Sequence, residues 1–329
     1  MTLIHIPDLC AGDRVQADFL VTERSEKKTK AGDAFVTLTL GNSSGSIETA
    51  PIWSNNLTWA DGAERGTVVG VVGQVTFYGS GATAKRQLNV SAPLRIVASS
   101  LVDVNAFLPS VGDCTRLWAH VDRMRAEMGS ATLRRIVDIF YSDDQFRLRL
   151  ERTPGSVAGH HAKLGGLLQH IVEVAMIARA TAKTCRANID LVTSGVLLHD
   201  IGKVESYSVS TGGFSYTPCG HLIGHVVLGC MMLDRAISAG DTRSCSDQQL
   251  MDLQHIILAH HGSLEFGSPV QPMTLEAEIV HWADEASAKS NDMLESLEDR
   301  DSFNGDDEIS SRRPWRVGRR IWRRPHGWE

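Results

Sequence analysis

The sequence lacks the long apolar runs of membrane-spanning proteins and the C-x-x-C cysteine pairs of many redox and metal-binding proteins. No stretch approaches the roughly 18 apolar residues that a transmembrane helix needs. The first residues, MTLIHIPDLCAGDRV, have no basic region followed by a long apolar core, so we predict no signal peptide. Cysteine is irregularly spaced and never occurs as C-x-x-C, which argues against a disulfide framework. We expect reduced thiols, mostly buried, in a cytoplasmic protein. The six cysteines are Cys10, Cys114, Cys185, Cys219, Cys230 and Cys245.

The chain also lacks an excess of positive charge. Its formal net charge is -6, from 33 basic and 39 acidic residues, so it is not coated in positive charge. A local basic groove is still compatible with this balance. The apolar content of 42% is enough to build real cores. The length of 329 residues exceeds one ordinary small domain and predicts two domains, with room for a tail.

Residues 1–98 have the pattern of a small all-β domain. Apolar and polar residues alternate in RVQADFLVTERS, as they do in a half-buried strand. The segment AFVTLTLGNSSGSIETAPIW predicts two strands joined by a turn of Gly, Asn and Ser. GTVVGVVGQVTFYG and RQLNVSAPLRIV supply further strands, and five short strands fit a small closed barrel. Gly70 and Gly73 are expected at bends or bulges of this barrel.

The pattern changes across a connector at residues 99–118, where FLPSVGD interrupts the β pattern. From about Leu117, apolar residues recur three and four positions apart, which predicts amphipathic helices through residues 119–298. SVSTGGFSYTPCG and GSLEFGSPVQP interrupt the helices and are expected to be loops. Residues 299–329 are a polar linker and a tail with seven arginines and three tryptophans. Its composition favours either disorder or an arm that binds nucleic acid.

Histidine is concentrated in the second half, with ten of the 13 between His160 and His281. Several of these, and two aspartates, are flanked by apolar residues on predicted helices, so their side chains are expected to point inward. Buried imidazoles and carboxylates are costly unless they are paired or bind a metal ion. The candidate ligands are His170, His199, Asp200, His225, His260, His261 and Asp284.

A ligand set of imidazole nitrogens and carboxylate oxygens suits Mn, Fe, Zn or Co better than Ca or Mg alone. The candidates outnumber the ligands of one tetrahedral ion, which favours two ions with Asp200 as the expected bridge. Two ions about 3.5–4 Å apart are the usual arrangement for phosphoester hydrolysis, because they lower the pKa of a shared water. A single helical histidine is most often structural, so the prediction rests on the whole set.

The order of these residues, H…HD…H…HH…D with LLHDIGK around the doublet, resembles the HD-domain metal-dependent phosphohydrolases. The resemblance extends to the YhaM-type 3′→5′ exoribonucleases, on HHAKLGGLLQH, LIGHVVLG and ILAHHGSLEFGSPVQPMTLEAEIVHWADEASAK. That family carries an OB-type barrel before the HD domain, in the place of residues 1–98. The implied fold is multidomain: an N-terminal all-β OB-type barrel followed by an all-α HD-domain helical bundle. The match covers most of residues 12–295 and does not clearly cover the Arg/Trp tail.

The resemblance also implies roles for the candidate residues. One ion would be held by His170, His199, Asp200 and Asp284, and the other by Asp200, His225 and His260. His261 would be a further ligand or would orient water, and Lys203 would approach a substrate phosphate. A solvated lysine at a helix end is an alternative reading of Lys203. The catalytic residues would be Asp200, Lys203 and His261. The pair His160 and His161 matches the HHA of the family without an assigned role.

The barrel is the expected site for nucleic acid. OB barrels bind single strands through aromatic platforms and a basic rim. The candidates are Lys30, Phe35, Trp53, Phe77, Lys85 and Arg86, with Lys27 and Lys28 beside them. Aromatic residues in strands are more often core than stacking platforms, so their role depends on the face of the barrel that they occupy.

The sequence therefore predicts a cytoplasmic, metal-dependent 3′→5′ exonuclease that cleaves single-stranded RNA with a metal-activated water. DNA is an open second substrate. Mn is the favoured ion, with Fe, Co, Zn or Mg as alternatives. One alternative function is an HD-domain nucleotide or cyclic-nucleotide phosphohydrolase, and another is a nucleic-acid-binding module without activity. No membrane partner is expected. One small barrel offers little contact area, so a homo-oligomer that surrounds the strand is a further hypothesis.

Overall fold

The computed structural model of the protein divides into two compact units. It describes residues 4–29, 31–79, 85–103, 106–210, 213–239, 245–299 and 302–328. The first unit comprises Met1–Ser110 with Val209–Gly213, and the second comprises Val111–Ser208 with Phe214–Glu329. The main division therefore falls inside the predicted connector. No helix in the described part of the chain is long and apolar enough to cross a membrane.

The first unit is a closed β-barrel. Its strands are β1 (Arg14–Lys28), β2 (Ala34–Asn42), β3 (Gly45–Thr49), β4 (Ile52–Trp53), β5 (Val68–Tyr78), β6 (Lys85–Val90) and β7 (Arg95–Ile96). Five of them form a ring in the order β1-β2-β3-β6-β5, which closes where β5 pairs with β1. The short β4 and β7 pair with β2 and β5. The predicted N-terminal barrel of the OB type is confirmed.

The length of β1 lets one strand serve two neighbours. It pairs with β5 from Arg14 onward and with β2 as far as Lys28. A register shift between Val21 and Glu23 interrupts the pairing with β2, and such bulges increase the local bend of a strand. The bend lets β1 pair with β5 along its first half and with β2 along its second half, which closes the barrel.

Gly73 permits a close approach of two strands and is not a bulge. β5 keeps its register with β1 at both Gly70 and Gly73, and with β6 at Gly73, so the bulge that was one of the two expectations for these glycines is absent. A Cβ atom on Gly73 would lie 2.5 Å from the carbonyl oxygen of Asn89 on β6. Glycine is required because any side chain would collide with that backbone.

The second unit is helical, as predicted. Its helices are α1 (Thr115–Glu127), α2 (Ala131–Tyr141), α3 (Asp144–Arg152), α4 (Gly166–Cys185), α5 (Ile189–His199), α6 (Lys203–Ser206), α7 (Pro218–Leu222), α8 (His225–Ser238), α9 (Asp247–Ala259) and α10 (Leu275–Glu298). Several begin at side chains that accept hydrogen bonds from the first-turn amides: Asn188 before α5, Ser246 before α9 and Thr274 before α10. Helix α1 starts inside the predicted connector.

Helices α4, α5, α9 and α10 surround the core that carries the histidines. Apolar residues of LLQHIVEV and GVLLHD are fully buried there. The hydroxyl of Tyr141 on α2 donates a hydrogen bond of 2.6 Å to the carbonyl oxygen of Leu197, two residues before His199. This contact fixes the end of α5, from which the His-Asp doublet projects.

One predicted loop contains a hairpin. Within SVSTGGFSYTPCG and the residue before it, β8 (Tyr207–Ser210) pairs with β9 (Gly213–Tyr216) as a separate sheet of two strands. Four residues in each strand are too few for a clear alternating pattern, so the Gly/Ser content dominated the prediction. The GSLEFGSPVQP segment is a loop with a single 3-10 turn, Leu264–Phe266.

The C-terminal residues 302–328 make contacts of their own. Ile309 and Trp322 form an isolated antiparallel bridge, and Phe303, Ser310 and Ile321 are buried.

The cysteines are less buried than expected. All six lie in the described part of the chain and none forms a disulfide there. Only Cys245 is buried, Cys10 and Cys185 are exposed, and the remaining three are half-buried. The absence of a disulfide framework therefore agrees with the prediction, and the prediction that most thiols are buried is wrong.

Candidate metal centre

The structure brings the seven predicted metal ligands together in the second unit. Two groups of three residues each have ligand atoms within 4.8 Å of one another. The first group is His170, His199 and Asp284, and the second is His225, His260 and His261. The seventh residue, Asp200, lies between the two groups.

Three helices assemble the first group. His170 lies in the second turn of α4, His199 is the last residue of α5, and Asp284 lies in the first half of α10. Nε2 of His170 is 2.9 Å from Oδ1 of Asp284, and Nε2 of His199 is 3.9 Å from the same oxygen. Both histidines are fully buried, because the leucines beside them in the sequence belong to the core.

Two helix ends supply the second group. His225 is the first residue of α8, and His260 and His261 follow the end of α9. The ring centroids of His260 and His261 are 4.2 Å apart, and that of His225 is 5.0 Å from that of His261. A Cβ atom on Gly202 would lie 2.0 Å from the carbonyl oxygen of His225. The glycine of HDIGK therefore allows α8 to bring its histidine against the His-Asp doublet.

Each carboxylate oxygen of Asp200 faces one of the two groups. Oδ2 lies 3.6 Å from Nε2 of His170 and 3.3 Å from Nε2 of His199. Oδ1 lies 3.4 Å from Nε2 of His225 and 3.6 Å from Nε2 of His260. This is the placement that a bridging carboxylate requires.

Backbone contacts orient the histidine rings toward the centre. Nδ1 of His199 lies 2.7 Å from the carbonyl oxygen of Val196, and Nδ1 of His260 lies 2.7 Å from that of Ile257. A carbonyl oxygen only accepts hydrogen bonds, so Nδ1 must carry the proton in both rings. In the neutral form, each ring then offers the lone pair of Nε2 to the centre, which is the tautomer that a metal ligand needs.

Six inward-facing atoms make no well-aligned hydrogen bond among the described residues, although two of them lie in ion pairs: Oδ2 of Asp200 with Lys203, and Nε2 of His170 with Asp284. The six atoms are both carboxylate oxygens of Asp200 and Nε2 of His170, His199, His225 and His260. Buried polar atoms are normally satisfied, so such a cluster calls for a bound group. Imidazole nitrogens and carboxylate oxygens that converge in this way form the donor set of a divalent transition metal. The residues present therefore fit metal ions.

Burial and neighbouring charges set the protonation states of these ligands. Burial lowers the pKa of His260 well below its ordinary value and that of His225 to about 3, so both are neutral near pH 7. Burial alone would raise the pKa of Asp200, but the positive charge of Lys203 and the neighbouring His199 hold it well below its ordinary value. Asp200 is therefore an anion among mostly neutral imidazoles.

Lys203 is buried beside Asp200. Its Nζ atom lies 2.6 Å from Oδ2 of Asp200, and only 5% of the residue is exposed. Burial would lower the pKa of Lys203, but the Asp200 carboxylate raises it above its ordinary value, so the side chain stays cationic. The alternative of a solvated lysine at a helix end is wrong.

A hydrogen-bond network behind the first group was missed in the sequence. The hydroxyl of Ser287 on α10 lies 3.1 Å from Nδ1 of His170 and donates a hydrogen bond of 2.9 Å to Glu173 on α4. Burial would raise the pKa of Glu173, but His161 and the hydroxyl of Ser287 lower it to about 2. One sequence feature could have indicated this network. Glu173 follows His170 by three positions on α4, and Ser287 follows Asp284 by three positions on α10, which places each pair on one face of its helix.

The network also gives His161 a structural place. Its Nε2 atom lies 2.9 Å from the Glu173 carboxylate, and its ring is fully buried. Its backbone is left-handed, with φ of 53°. A Cβ atom on Gly166, the first residue of α4, would lie 2.0 Å from its carbonyl oxygen. The HHA segment is therefore held tightly against the start of the helix that carries His170.

The sequence also does not predict an aromatic cluster beside Lys203, because the β8–β9 hairpin that carries its tyrosines has the composition of a loop. Tyr207 packs edge-on against Tyr216 with ring centroids 5.2 Å apart, and Tyr216 lies 5.0 Å from the ring of His221. Burial raises the pKa of Tyr207, while the nearby charge of Lys203 opposes that effect. Tyr216 is 44% exposed and offers ring surface to a ligand.

Two of the barrel residues predicted to bind nucleic acid lie together. Phe35 on β2 and Trp53 on β4 have ring centroids 5.1 Å apart, and Trp53 is 46% exposed. A groove of about 460 Å³ beside Phe35 is lined by three basic side chains, Arg24, Lys27 and Lys28, and by two acidic ones, Glu26 and Asp61. The exposed ring of Trp53 and the two lysines are compatible with a site for a single strand, although Glu26 and Asp61 reduce the positive charge of the groove.

The structure does not bring Phe77 and Arg86 to that groove. Phe77 is 51% exposed and lies opposite Arg86 in the β5–β6 pair, and each of these two strands is two steps around the ring from β2. Nη1 of Arg86 donates hydrogen bonds to the carbonyl oxygens of Ile6, Pro7 and Leu9. This guanidinium therefore anchors the start of the chain.

Two more predicted contacts cannot be placed. Lys30 lies outside the described residues, and so does the side chain of Lys85, whose backbone pairs with Tyr78. The assignment of all six barrel residues to nucleic acid stays a prediction.

The chain is similar to known proteins along most of its length. The family described as "HD domain" matches residues 167–289, which span all seven candidate ligands. The 3′-5′ exoribonuclease YhaM of Bacillus subtilis (strain 168) is 32% identical over 295 residues, covering 87% of this chain and 88% of that protein. YhaM of Bacillus velezensis is 30% identical over 291 residues, covering 87% and 88%. YhaM of Listeria monocytogenes serotype 4b is 30% identical over 285 residues, covering 84% and 85%.

Proposed function

Because the chain belongs to the family of the 3′-5′ exoribonuclease YhaM, we propose that it shortens single-stranded RNA from the 3′ end with two divalent ions at the centre around Asp200. It is a hydrolytic, metal-dependent 3′-5′ exoribonuclease with RNA as its substrate. The number and identity of the ions, the nucleophile and any action on DNA are the proposed part. Mn is the ion we favour, with Fe, Co, Zn or Mg as alternatives.

The observation that carries the proposal is the position of Asp200. Its two oxygens face two separate histidine groups, and Nε2 of His199, His225 and His260 makes no hydrogen bond among the described residues. We assign His170, His199, Asp200 and Asp284 to one ion, and Asp200, His225 and His260 to the other. Two ions there would lower the pKa of a shared water and stabilise the negative charge on the phosphate oxygens.

The remaining residues have defined tasks in the proposed reaction. Lys203 keeps its positive charge at the centre and would stabilise the scissile phosphate. Nδ1 of His261 lies 2.6 Å from the carbonyl oxygen of Phe266, so Nε2 is free to bind an ion or to orient the attacking water. Tyr216 offers a surface for the terminal base. No side chain is needed as a nucleophile, because the water attacks the phosphorus directly.

The barrel would supply binding to the rest of the strand. The groove beside Phe35 and Trp53 carries lysines for phosphates and exposed rings for bases. These contacts do not read base edges, so we expect little dependence on base sequence. A cytoplasmic location and assembly of several copies around one strand stay predictions.

The test uses metal-stripped protein supplied with Mn²⁺ and 5′-labelled single-stranded RNA or the matching DNA. We expect a ladder that shortens from the 3′ end, that needs the metal, and that disappears in Asp200→Ala. Intact RNA with every ion tried would overturn the proposal. Hydrolysis of mononucleotides or cyclic nucleotides in that case would instead support the alternative HD-domain phosphohydrolase. The alternative of a binding module without activity does not fit a hydrolase family member with a complete ligand set.

A further inference from the structure

The C-terminal segment, residues 302–328, is attached to the helix that carries Asp284. Nη1 of Arg316 lies 3.1 Å from Oε2 of Glu295 and 3.7 Å from Oδ1 of Asp292, both on α10. Arg312 lies 3.6 Å from the carboxylate of Asp299, just after the same helix. These ion pairs hold the arginine-rich part of the segment along the last turns of α10.

Internal contacts give the segment its own shape. The backbone amide of Ser310 donates to the carbonyl oxygen of Ile321, and the amide of Ile321 donates back to the hydroxyl of Ser310. The guanidinium of Arg323 donates to the carbonyl oxygens of Gly305 and Asp307 and lies over the ring of Phe303. Arg323 and Arg316 therefore serve the fold of the segment and are not available to a ligand.

The outer face of the segment has a different character. Residues 312–328 contain seven arginines and neither Asp nor Glu. Four of these arginines are exposed and have no hydrogen bond or ion pair among the described residues: Arg313, Arg319, Arg320 and Arg324. The tryptophans are exposed as well: Trp315 at 71%, Trp322 at 47% and Trp328 at 84%. Trp322 donates a hydrogen bond to Glu308 and lies 5.8 Å from the guanidinium of Arg324, and Arg316 lies 4.9 Å from the ring of Trp315. The three rings nevertheless keep much of their surface exposed, among cations without a carboxylate partner, which is unusual on a surface that only meets water.

The segment also lies close to the candidate metal centre. Oδ2 of Asp292, the partner of Arg316, is 3.9 Å from Nδ1 of His160. The ring of His160 has its centroid 5.6 Å from that of His170 in the first ligand group. Asp292 lies eight residues after Asp284 on the same helix, which is about 12 Å at 1.5 Å per residue.

We infer that the outer face of residues 312–328 binds the single-stranded RNA upstream of the nucleotide that is being removed. This inference rests on the proposed function. The four unpaired arginines would bind phosphates and the exposed tryptophans would stack on bases. An acidic peptide would satisfy the arginines but would leave the rings unused, so RNA uses more of the surface. The attachment to α10 keeps this face beside the centre while the strand shortens.

The test compares two variants of equal charge change in the full-length protein. The first is R313A/R319A/R320A/R324A. The matched control is R116A/R123A/R134A/R135A, which removes four exposed arginines from α1 and α2, helices that supply no ligand to the centre. Binding to labelled homopolymer RNA is measured by fluorescence anisotropy over a range of salt concentrations, in EDTA so that no strand is cut. Circular dichroism verifies that both variants are folded.

We expect the first variant to bind RNA about 10- to 100-fold more weakly and the control to bind like the wild type. Loss of four phosphate contacts should reduce the slope of log affinity against log salt by about 2–3. With Mn²⁺ added, kcat/KM should fall more for a long strand than for a dinucleotide. Trp328→Ala should weaken binding more than Trp328→Phe, because phenylalanine keeps a stacking surface.

Equal binding by the wild type and the first variant, with equal salt slopes, would overturn the inference. An equal loss in both quadruple variants would also overturn it, because it would indicate a general effect of charge. The EDTA measurement does not depend on catalysis. Failure of the proposed function would leave RNA intact in the cleavage assay, whereas failure of this inference leaves the affinity of the first variant unchanged.

Discussion

Nδ1 of His170 lies 3.1 Å from the hydroxyl oxygen of Ser287. Ser287 thereby links the imidazole of His170 to the carboxylate of Glu173. The hydroxyl proton of Ser287 is donated to Glu173, so the oxygen of Ser287 is an acceptor for the proton on Nδ1. The ring of His170 therefore presents an unprotonated Nε2 to the candidate metal centre. A carboxylate that acts through a hydroxyl fixes both the orientation and the tautomer of the ligand.

The first prediction concerns this chain of contacts. Ser287→Ala removes the acceptor for Nδ1 of His170, and we expect the affinity for Mn²⁺ to fall about 10- to 100-fold. Isothermal titration calorimetry on metal-stripped protein measures the change directly. Ser194→Ala is the matched control, because Ser194 is equally buried but donates only to the carbonyl oxygen of Asp190 within α5. Similar Mn²⁺ affinities for the two variants would show that Ser287 does not position His170.

The sequence predicted the candidate ligands that the structure brings together but not the residues behind them. The seven candidates could be singled out because imidazoles and aspartates among apolar residues on helices are unusual and follow a family order. Ser287 and Glu173 could not be singled out, because serine and glutamate are common on exposed helix faces. Only the packing of α4 against α10 shows that both point inward.

Two further features could not be predicted from the sequence: which barrel side chains are exposed, and the strands of the short hairpin. The sequence predicts strands in the barrel, but the exposed face of Trp53 and the anchoring role of Arg86 depend on how the barrel closes. The hairpin that contains Tyr207 and Tyr216 has strands of four residues, which is too short for periodicity. The sequence presents Gly202 only as part of HDIGK. Glycine is needed at this position because the backbone of α8 passes close to it, which no local sequence pattern reveals.

The second prediction tests the close contact between Gly202 and the backbone of α8. A Cβ atom on Gly202 would lie 2.0 Å from the carbonyl oxygen of His225 and 2.5 Å from the amide nitrogen of Gly229. Gly202→Ala must therefore displace the start of α8, at a cost of about 1–3 kcal/mol of unfolding free energy. Denaturant unfolding measures the loss, and metal analysis should show fewer bound ions because His225 moves.

The control for this substitution is Gly129→Ala. A Cβ atom there would have Oδ2 of Asp190 as its nearest neighbour, at an ordinary 3.5 Å. We expect its unfolding free energy and metal content to stay near those of the wild type. If Gly202→Ala unfolds at the same denaturant concentration as Gly129→Ala, the close packing of α8 on the doublet is not a constraint.

The third prediction concerns pH and lies away from the metal centre. Asp122 accepts hydrogen bonds of 2.8 Å from Arg125 and 2.9 Å from Arg147. The hydrogen bond from Arg147 is the main cause that lowers the pKa of Asp122 in the folded state. A lowered pKa stabilises the fold above the pKa of the unfolded chain, near 3.8, and this contribution disappears as pH falls through the folded value.

We therefore expect Asp122→Asn to lose about 0.5–1 kcal/mol of unfolding free energy at pH 7, a modest value because the carboxylate is partly screened by solvent. The difference in unfolding free energy between Asp122→Asn and the wild type should decrease as the pH is lowered through about 4 toward 3. Asp234→Asn removes an exposed carboxylate that has no ion pair among the described residues, and serves as the control. A gap that widens on acidification would contradict the assigned direction of the pKa shift.

The last prediction separates two tasks of Lys203. Its ammonium group lies 2.6 Å from Asp200, so it could act on the substrate phosphate or merely hold the carboxylate. If it acts on the phosphate, Lys203→Met should lower kcat/KM for RNA about 10²- to 10³-fold while Mn²⁺ still binds. Bound ions would compensate the charge of Asp200 in the variant, so its affinity for Mn²⁺ should not fall. Lys183→Met, at an exposed position near the end of α4, is the control. Parallel losses of metal affinity and activity in Lys203→Met would instead assign Lys203 to the positioning of Asp200.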